Sequence, residues 1–246
     1  MGRVPLALTD RQSPSPATRR RTRVPRRPRL RSVALLVTAA ALLAGCGSGD
    51  DWSGPRPGPS AVGAPGPGFT DPAAPPAPEA TVTPRPGSWS GVRPSKGYRV
   101  VLLTTGEDRP AKALVQAVRD WAGDEHVDLR TVVADGPSDL LPSVVKAVDM
   151  SPDLVVSAGN DLVDPLATVT ASHLDQLFLL VGAELAEPTH NVTAVDWSGA
   201  SFRGEGLGAS SAYDPASFTP SRCAAAIRAG TAAVLSGVTG VVLWLR

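Results

Sequence analysis

Residues 153–159 read Asp-Leu-Val-Val-Ser-Ala-Gly, and residues 177–182 read Leu-Phe-Leu-Leu-Val-Gly. These near-continuous apolar runs predict strands that are buried on both faces, as is typical of parallel sheets covered by helices. Between the two runs, residues 164–176 place Leu166 and Val169 on one stripe of a helix. A buried strand, a helix and a second buried strand predict an α/β arrangement.

The same alternation of strands and helices extends over residues 98–246. Further strands are predicted at residues 98–103, 129–134, 191–197 and 241–245, and further helices at residues 111–123, after Asp139 and at residues 221–236. Asp139 is the expected cap of its helix, because Pro142 then falls in the first turn. We therefore predict an α/β fold class: a single three-layer domain with a mostly parallel sheet of about six strands, joined by right-handed crossovers.

The first 45 residues differ sharply from the rest in charge. They hold ten Arg and one Asp, whereas the remainder holds 14 basic and 22 acidic residues. A basic arm can indicate nucleic-acid binding, but the apolar run at residues 33–43 follows it directly. A basic segment and a short apolar run predict a signal peptide over residues 1–45, too short for a permanent membrane span. No nucleic-acid partner is expected.

The end of the apolar run, Leu43-Ala44-Gly45-Cys46, resembles a bacterial lipobox. The resemblance implies that the Cys46 thiol receives diacylglycerol, that the signal is cut before it, and that the new amino group can be acylated. Two or three acyl chains give stable anchoring. We therefore expect a lipoprotein anchored to the extracytoplasmic face of the cell membrane through Cys46. The alternatives are an incidental thiol at Cys46 and a twin-arginine signal at residues 19–21.

Residues 46–97 have the composition of a linker. Residues 47–97 contain 12 Pro and 10 Gly. Proline lacks a backbone donor, and such a composition holds no continuous apolar face, so the segment predicts a disordered tether. The expected organisation is therefore a signal peptide at 1–45, a lipidated Cys and tether at 46–97, and an α/β domain at 98–246.

Four segments of the predicted domain carry a family resemblance. They are residues 152–159, 164–167, 176–182 and 191–195. Together they resemble the N-terminal lobe of periplasmic-binding-protein-like lipoproteins, closest to the basic membrane protein type. The resemblance implies solute binding or sensing linked to an ABC-type importer, a nucleoside-like ligand, no catalysis and no cofactor.

The chain departs from that family at two points. After the first strand it keeps Asp108, but it lacks the family's Ser-Phe-Asn run and the aromatic residue that stacks on ligand there. The family also encloses its ligand between two lobes, whereas about 150 residues form only one. A single lobe has no opposite wall to bury a small molecule. The alternative function is therefore a structural or protein-interaction lipoprotein of the cell envelope that has lost ligand binding.

Ligands of open α/β sheets bind at the carboxyl ends of the strands. That rule selects a set of candidate binding residues, whose acidity suits a hydroxyl-rich or cationic ligand: Thr105, Asp108, Gly159, Asn160, Asp161, Glu184 and Asp196. The alternative is that these residues are ordinary turn formers.

The sequence offers little support for catalysis or a metal site. It contains no G-x-S-x-G elbow, and three His and two Cys are few for a zinc site. Cys223 shares one helical face with Ile227, Thr231 and Val234, which predicts a buried apolar thiol. His173 continues the stripe of Leu166 and is expected at the edge of the core.

Overall fold

The structure is a computed structural model that describes residue 52 and residues 54–106, 108–200, 203 and 211–246. The predicted signal peptide and Cys46 lie outside the described residues. The described strands are β1 (Ala61–Val62), β2 (Thr81–Val82), β3 (Arg93–Pro94), β4 (Arg99–Thr105), β5 (Asp128–Ala134), β6 (Leu154–Ala158), β7 (Phe178–Val181), β8 (Val192–Trp197) and β9 (Val242–Leu245). The described helices are α1 (Arg109–Asp124), α2 (Leu140–Asp149), α3 (Val163–Thr170) and α4 (Pro220–Leu235).

Seven of the strands form one parallel sheet. Its order is β2-β9-β8-β7-β6-β4-β5, and every neighbouring pair runs parallel. The remaining two strands, β1 and β3, pair with each other in antiparallel fashion. The predicted α/β class with a mostly parallel sheet is confirmed, and the strand beyond the expected six is β2.

The two faces of the sheet carry separate apolar layers. In β4, Val100 and Leu102 pack with residues of α1 and α4, whereas Val101 and Leu103 pack with residues of α2 and α3. All four side chains are fully buried. Because successive side chains of a strand point to opposite faces, only helices on both sides can cover such a run.

One helix boundary and one capping bond differ from the sequence prediction. The helix α3 ends at Thr170, six residues before the expected end, and His173 Nδ1 lies 2.9 Å from the Val169 carbonyl oxygen. Asp139 makes no side-chain capping bond to α2, because residues 137–139 already form a 3-10 turn that leads into the helix. Its Oδ2 accepts instead from the Ser143 hydroxyl at 3.0 Å.

Residues 54–97, hereafter the strap, differ from the predicted disordered tether. The described residues from 52 onward belong to one compact unit, and β2 of the strap pairs with β9, on the outer side of the sheet. Phe69 is only 2 % exposed and belongs to the apolar layer of α1 and α4. The prediction from composition was wrong because a few buried apolar side chains and the two-residue strand β2 attach the strap to the domain. Most of the strap nevertheless lacks the regular hydrogen bonds of a sheet.

Within the described ranges, no helix has the length and apolar character needed to cross a bilayer.

Replacing Phe69 with alanine tests whether the strap is part of the domain. We expect Phe69→Ala to lower the free energy of unfolding by about 3–5 kcal/mol, since it removes a fully buried aromatic ring. The measurement is urea denaturation of the mature chain made soluble by Cys46→Ser. Val62→Ala is the matched control, because Val62 is 54 % exposed in the same strap. Equal urea midpoints for the two variants would show that the strap is not part of the folded domain, as the tether prediction holds.

The packing of α4 on the sheet is tested at Gly230. A Cβ atom there would lie 2.5 Å from Leu179 Cδ1 and 2.7 Å from Val195 Cγ2. We expect Gly230→Ala to destabilise the domain by about 1–3 kcal/mol, which outweighs the helical preference for alanine of about 1 kcal/mol. Gly123→Ala in α1 is the control, since nothing lies within 4 Å of its added carbon. It should stabilise the domain, and a stabilising Gly230→Ala would contradict the close contact.

Candidate functional site

The strand order creates a switch point beside β4. The connection after β4 leads to β5 on one side, and the connection after β5 returns to β6 on the other side. In open parallel sheets, ligands bind in the crevice that forms where the strand order reverses. The carboxyl ends of β4 and β6 are therefore the place where the fold itself favours a site.

Two predicted site residues meet at this switch point. Thr105 ends β4, and its hydroxyl donates to Asp161 Oδ2 at 3.3 Å. Between β6 and Asp161, Gly159 adopts φ +132°, and a Cβ atom there would lie 2.9 Å from Thr105 Oγ1. A glycine is thus needed for both the backbone conformation and the close approach to Thr105.

A groove of about 480 Å³ opens at the same edge. It is lined by residues that follow β4, β5 and β6: Thr105, Gly106, Ala134, Asp135, Gly136, Pro137, Leu140, Asn160, Asp161, Asp164 and Pro165. Three of these are Asp and none is Lys or Arg. Because no described lining residue is cationic, the groove favours positive charge or hydroxyl donors and disfavours anions.

Asp108 lies beside the groove but already has a structural role. Its Oδ1 accepts from the Ala111 backbone amide at 2.7 Å, which caps the first turn of α1. The residue is exposed, and its carboxylate, like that of Asp161, lies close enough to Tyr213 to raise the pKa of that phenol.

Tyr213 is a site residue that sequence reasoning missed. Burial raises the pKa of its phenol, and the nearby carboxylates of Asp108 and Asp161 raise it further. Its side chain is 47 % exposed, and its ring contacts Phe218 edge-on with centroids 6.0 Å apart. Tyr213 thus supplies an exposed aromatic ring near the two carboxylates. No periodic signal reveals it, because it comes from an irregular segment more than a hundred residues after β4.

The other two predicted acids are outside the groove lining. Glu184 is 2 % exposed and forms an ion pair with Arg203, with Nε 2.5 Å from Oε1. Asp196 is fully buried within β8 and stands opposite Trp244 of β9. The structure therefore brings together Thr105, Gly159, Asn160 and Asp161, with Asp108 beside them, and keeps Glu184 and Asp196 buried elsewhere.

Cys223 is the cysteine in the described part of the chain. Cys223 is fully buried, as its helical position predicts, and burial raises the pKa of its thiol to about 11. Such a thiol is protonated and unreactive at neutral pH. No group of three or more His, Cys, Asp or Glu side chains in the described ranges is arranged to hold a metal ion.

No protein-family model and no curated protein matches the chain. Among solved structures, it is similar to an ABC transporter solute-binding protein from Aeropyrum pernix K1, with 21 % identity and a TM-score of 0.36. That likeness covers 41 % of this chain and 29 % of the other, so the chain spans less than a third of that protein. It is also similar to an ABC transporter solute-binding protein from Bradyrhizobium sp. BTAi1, with 14 % identity, a TM-score of 0.28, and 79 % and 60 % of the two chains covered.

A third similar structure has a different role. It is a transcriptional activator of the comK gene from Bacillus halodurans, with 15 % identity, a TM-score of 0.36, and 41 % and 35 % of the two chains covered. Likenesses of this size identify no ligand or partner for this chain. The fold class rests on the strand order itself, and the basic membrane protein type stays a prediction.

The ionisation of Tyr213 tests the geometry of the site. We expect Asp161→Asn to lower the pKa of Tyr213, because one of the two nearby negative charges is removed. The fall should be partial, since burial is the largest cause of the raised value. The measurement is ultraviolet titration of the phenolate. Burial also raises the pKa of Tyr98, whose side chain is 2 % exposed, against 47 % for Tyr213.

Asp175→Asn is the matched control for this titration, because Asp175 is an exposed carboxylate on the chain between α3 and β7, at the amino end of the sheet. It should leave the phenol unchanged. If Asp161→Asn behaves like the control, Tyr213 does not lie close to Asp161.

Proposed function

We propose that this protein is an extracytoplasmic lipoprotein, anchored through Cys46, whose α/β domain binds a small molecule at the carboxyl edge of its sheet. The observation that carries the binding role is the meeting of Thr105 and Asp161 at the switch point, beside an open groove. The anchor is supported by the residues Leu43-Ala44-Gly45-Cys46 and by the basic and apolar segments before them.

The ligand is cationic or rich in hydroxyl groups. Asp135, Asp161 and Asp164 offer carboxylate acceptors to the groove. The exposed ring of Tyr213, which lies near Asp161, is suited to stack on a flat or cationic group. A nucleoside combines a flat base with a hydroxyl-bearing sugar, so the family resemblance and the chemistry of the groove favour the same class. In this role the domain delivers or senses solute for an ABC-type importer.

Binding without catalysis is the role that these side chains favour. Acyl or phosphoryl transfer requires an activated nucleophile or a positioned cation, and the described groove lining offers Asp, Asn and Thr. The thiol of Cys223 is buried away from solvent.

A second candidate function is a structural or protein-interaction role in the cell envelope. It is favoured by the carboxylates that the fold already uses: Glu184 pairs with Arg203, and Asp108 caps α1. The groove is also open on one side, where a partner protein can supply a further wall.

A thermal-shift titration tests the binding role. The protein is the mature chain with Cys46→Ser, which keeps the strap, and the panel holds nucleosides, sugars, amino acids, polyamines and cell-wall fragments. We expect a saturable rise in stability from one cationic or hydroxyl-rich class, worth about 2.7 kcal/mol at a hundredfold excess over Kd. Anions should give no shift.

Two variants assign the shift to the groove. Asp161→Asn should abolish it, since it removes the carboxylate that Thr105 positions, whereas Asp175→Asn should retain it. A flat panel from a chain that melts cooperatively contradicts the binding role. The interaction role would then be tested by affinity capture with the lipidated chain.

A further inference from the structure

Two arginine side chains lie over the indole ring of Trp52, and we call Trp52 with Arg99, Arg130 and Asp128 the clamp. The guanidinium carbon of Arg130 lies 4.1 Å from the centre of the indole ring, and that of Arg99 lies 5.5 Å from it. The indole Nε1 donates to Asp128 Oδ2 at 2.7 Å, and Arg99 donates to the Trp52 carbonyl oxygen. The side chain is 6 % exposed. Cation–π contacts and charge-assisted hydrogen bonds of this kind add a preferred geometry to the apolar burial of the side chain.

The clamp lies at the amino edge of the sheet. Arg99 and Asp128 are the first residues of β4 and β5 and stand opposite each other in the register. A second attachment reinforces it, since Arg56 pairs with Asp153, whose other oxygen accepts from the Arg99 amide at 2.8 Å. The chain that arrives from Cys46 is therefore fixed at the edge opposite the groove.

The chain between Cys46 and Trp52 is short, which limits how far the clamp can lie from the predicted lipid. Five residues, 47–51, separate Cys46 from Trp52. A chain spans at most about 3.6 Å per residue, so the six steps between them cover about 22 Å at full extension. A free linker of 52 residues would instead have a typical end-to-end distance of about 40 Å and would impose no orientation.

We propose that the lipid on Cys46 and the clamp on Trp52 together hold the amino edge of the sheet against the bilayer surface, so that the groove at the carboxyl edge opens away from the membrane. The occupant of the amino edge is thus the lipid surface itself. This inference rests on the lipid anchor of the proposed function. It differs from the arrangement predicted from sequence, because the domain lies close to the membrane and is not held away from it by a long tether. An importer or partner then meets the groove from the outer side.

Energy transfer to the bilayer tests this orientation. The full lipidated chain carries Cys223→Ala, so that a single introduced cysteine can be labelled with a donor dye. The dye is placed either at Lys96→Cys, before β4, or at Ser138→Cys, after β5. The labelled chain is inserted into the outer leaflet of vesicles whose head groups carry the acceptor. Both positions are exposed and outside the contacts described above. The seven residues of β4 separate the two edges by about 23 Å, so the dye at 96 should transfer roughly twofold more efficiently than the dye at 138.

A linker variant leaves the fold untouched. Inserting about twenty Gly/Ser residues between Gly49 and Asp50 adds a flexible segment ahead of the clamp and should make the two efficiencies converge. Trp52→Ala combined with Arg56→Ala should have the same effect, whereas Arg85→Ala, an exposed arginine of the strap, should preserve the difference.

The outcomes separate the two proposals. Failure of the wild-type chain to float with vesicles overturns the lipid anchor and, with it, the orientation. A floating chain whose two dyes transfer equally, or whose difference survives the insertion, overturns the orientation alone.

Discussion

The burial of both faces of the central strands constrains everything else in this domain. β4, β6 and β7 have no solvent-facing side, so they can sit only inside a sheet covered by helices on both faces. Four helical crossovers and the helix-free connection between β7 and β8 keep the strands from β4 to β9 parallel, so their carboxyl ends lie at one end of the sheet and their amino ends at the other. The parallel sheet therefore has an amino end and a carboxyl end that differ in chemistry, and this difference follows from the strand direction alone.

The two ends differ in how their polar groups are satisfied. At the amino edge, Trp52 and Arg56 of the incoming chain pair with Asp128 and Asp153. At the carboxyl edge of β4, β5 and β6, the carboxylates line an open groove, and Asp161 is positioned by Thr105. The amino end, whose carboxylates are already paired, suits attachment of the incoming chain. The carboxyl end, whose groove carries several negative charges, suits recognition of a ligand that neutralises them. The proposed ligand site and the proposed membrane attachment therefore lie at opposite ends of the same strands.

How far the sequence predicts this arrangement depends on the range of the signal. The apolar runs of β6 and β7 and the stripe of α3 are local patterns, and they predict the α/β class and the grouping of Thr105 with Asp161. The strap and Tyr213 depend on contacts between residues far apart in the chain, which periodicity does not encode. Trp52 and Phe69 stand alone among Pro and Gly, and only the structure pairs Trp52 with Arg130 and buries Phe69 under α1 and α4. Isolated aromatic residues in a Pro-rich segment were the available signal.

The strap also solves a problem that a parallel sheet creates. Each outermost strand presents unpaired backbone groups that invite pairing with another chain. β2 pairs with β9 in parallel, Thr81 with Val242 and Val82 with Leu243, so the strap covers one of the two edges. Without the strap, β9 would be an exposed apolar outer strand and the layer around Phe69 would open to water. In the proposed orientation, the chain that precedes β4 therefore has two roles: its strap covers β9, and the contacts of Trp52 and Arg56 set which end of the strands faces the membrane.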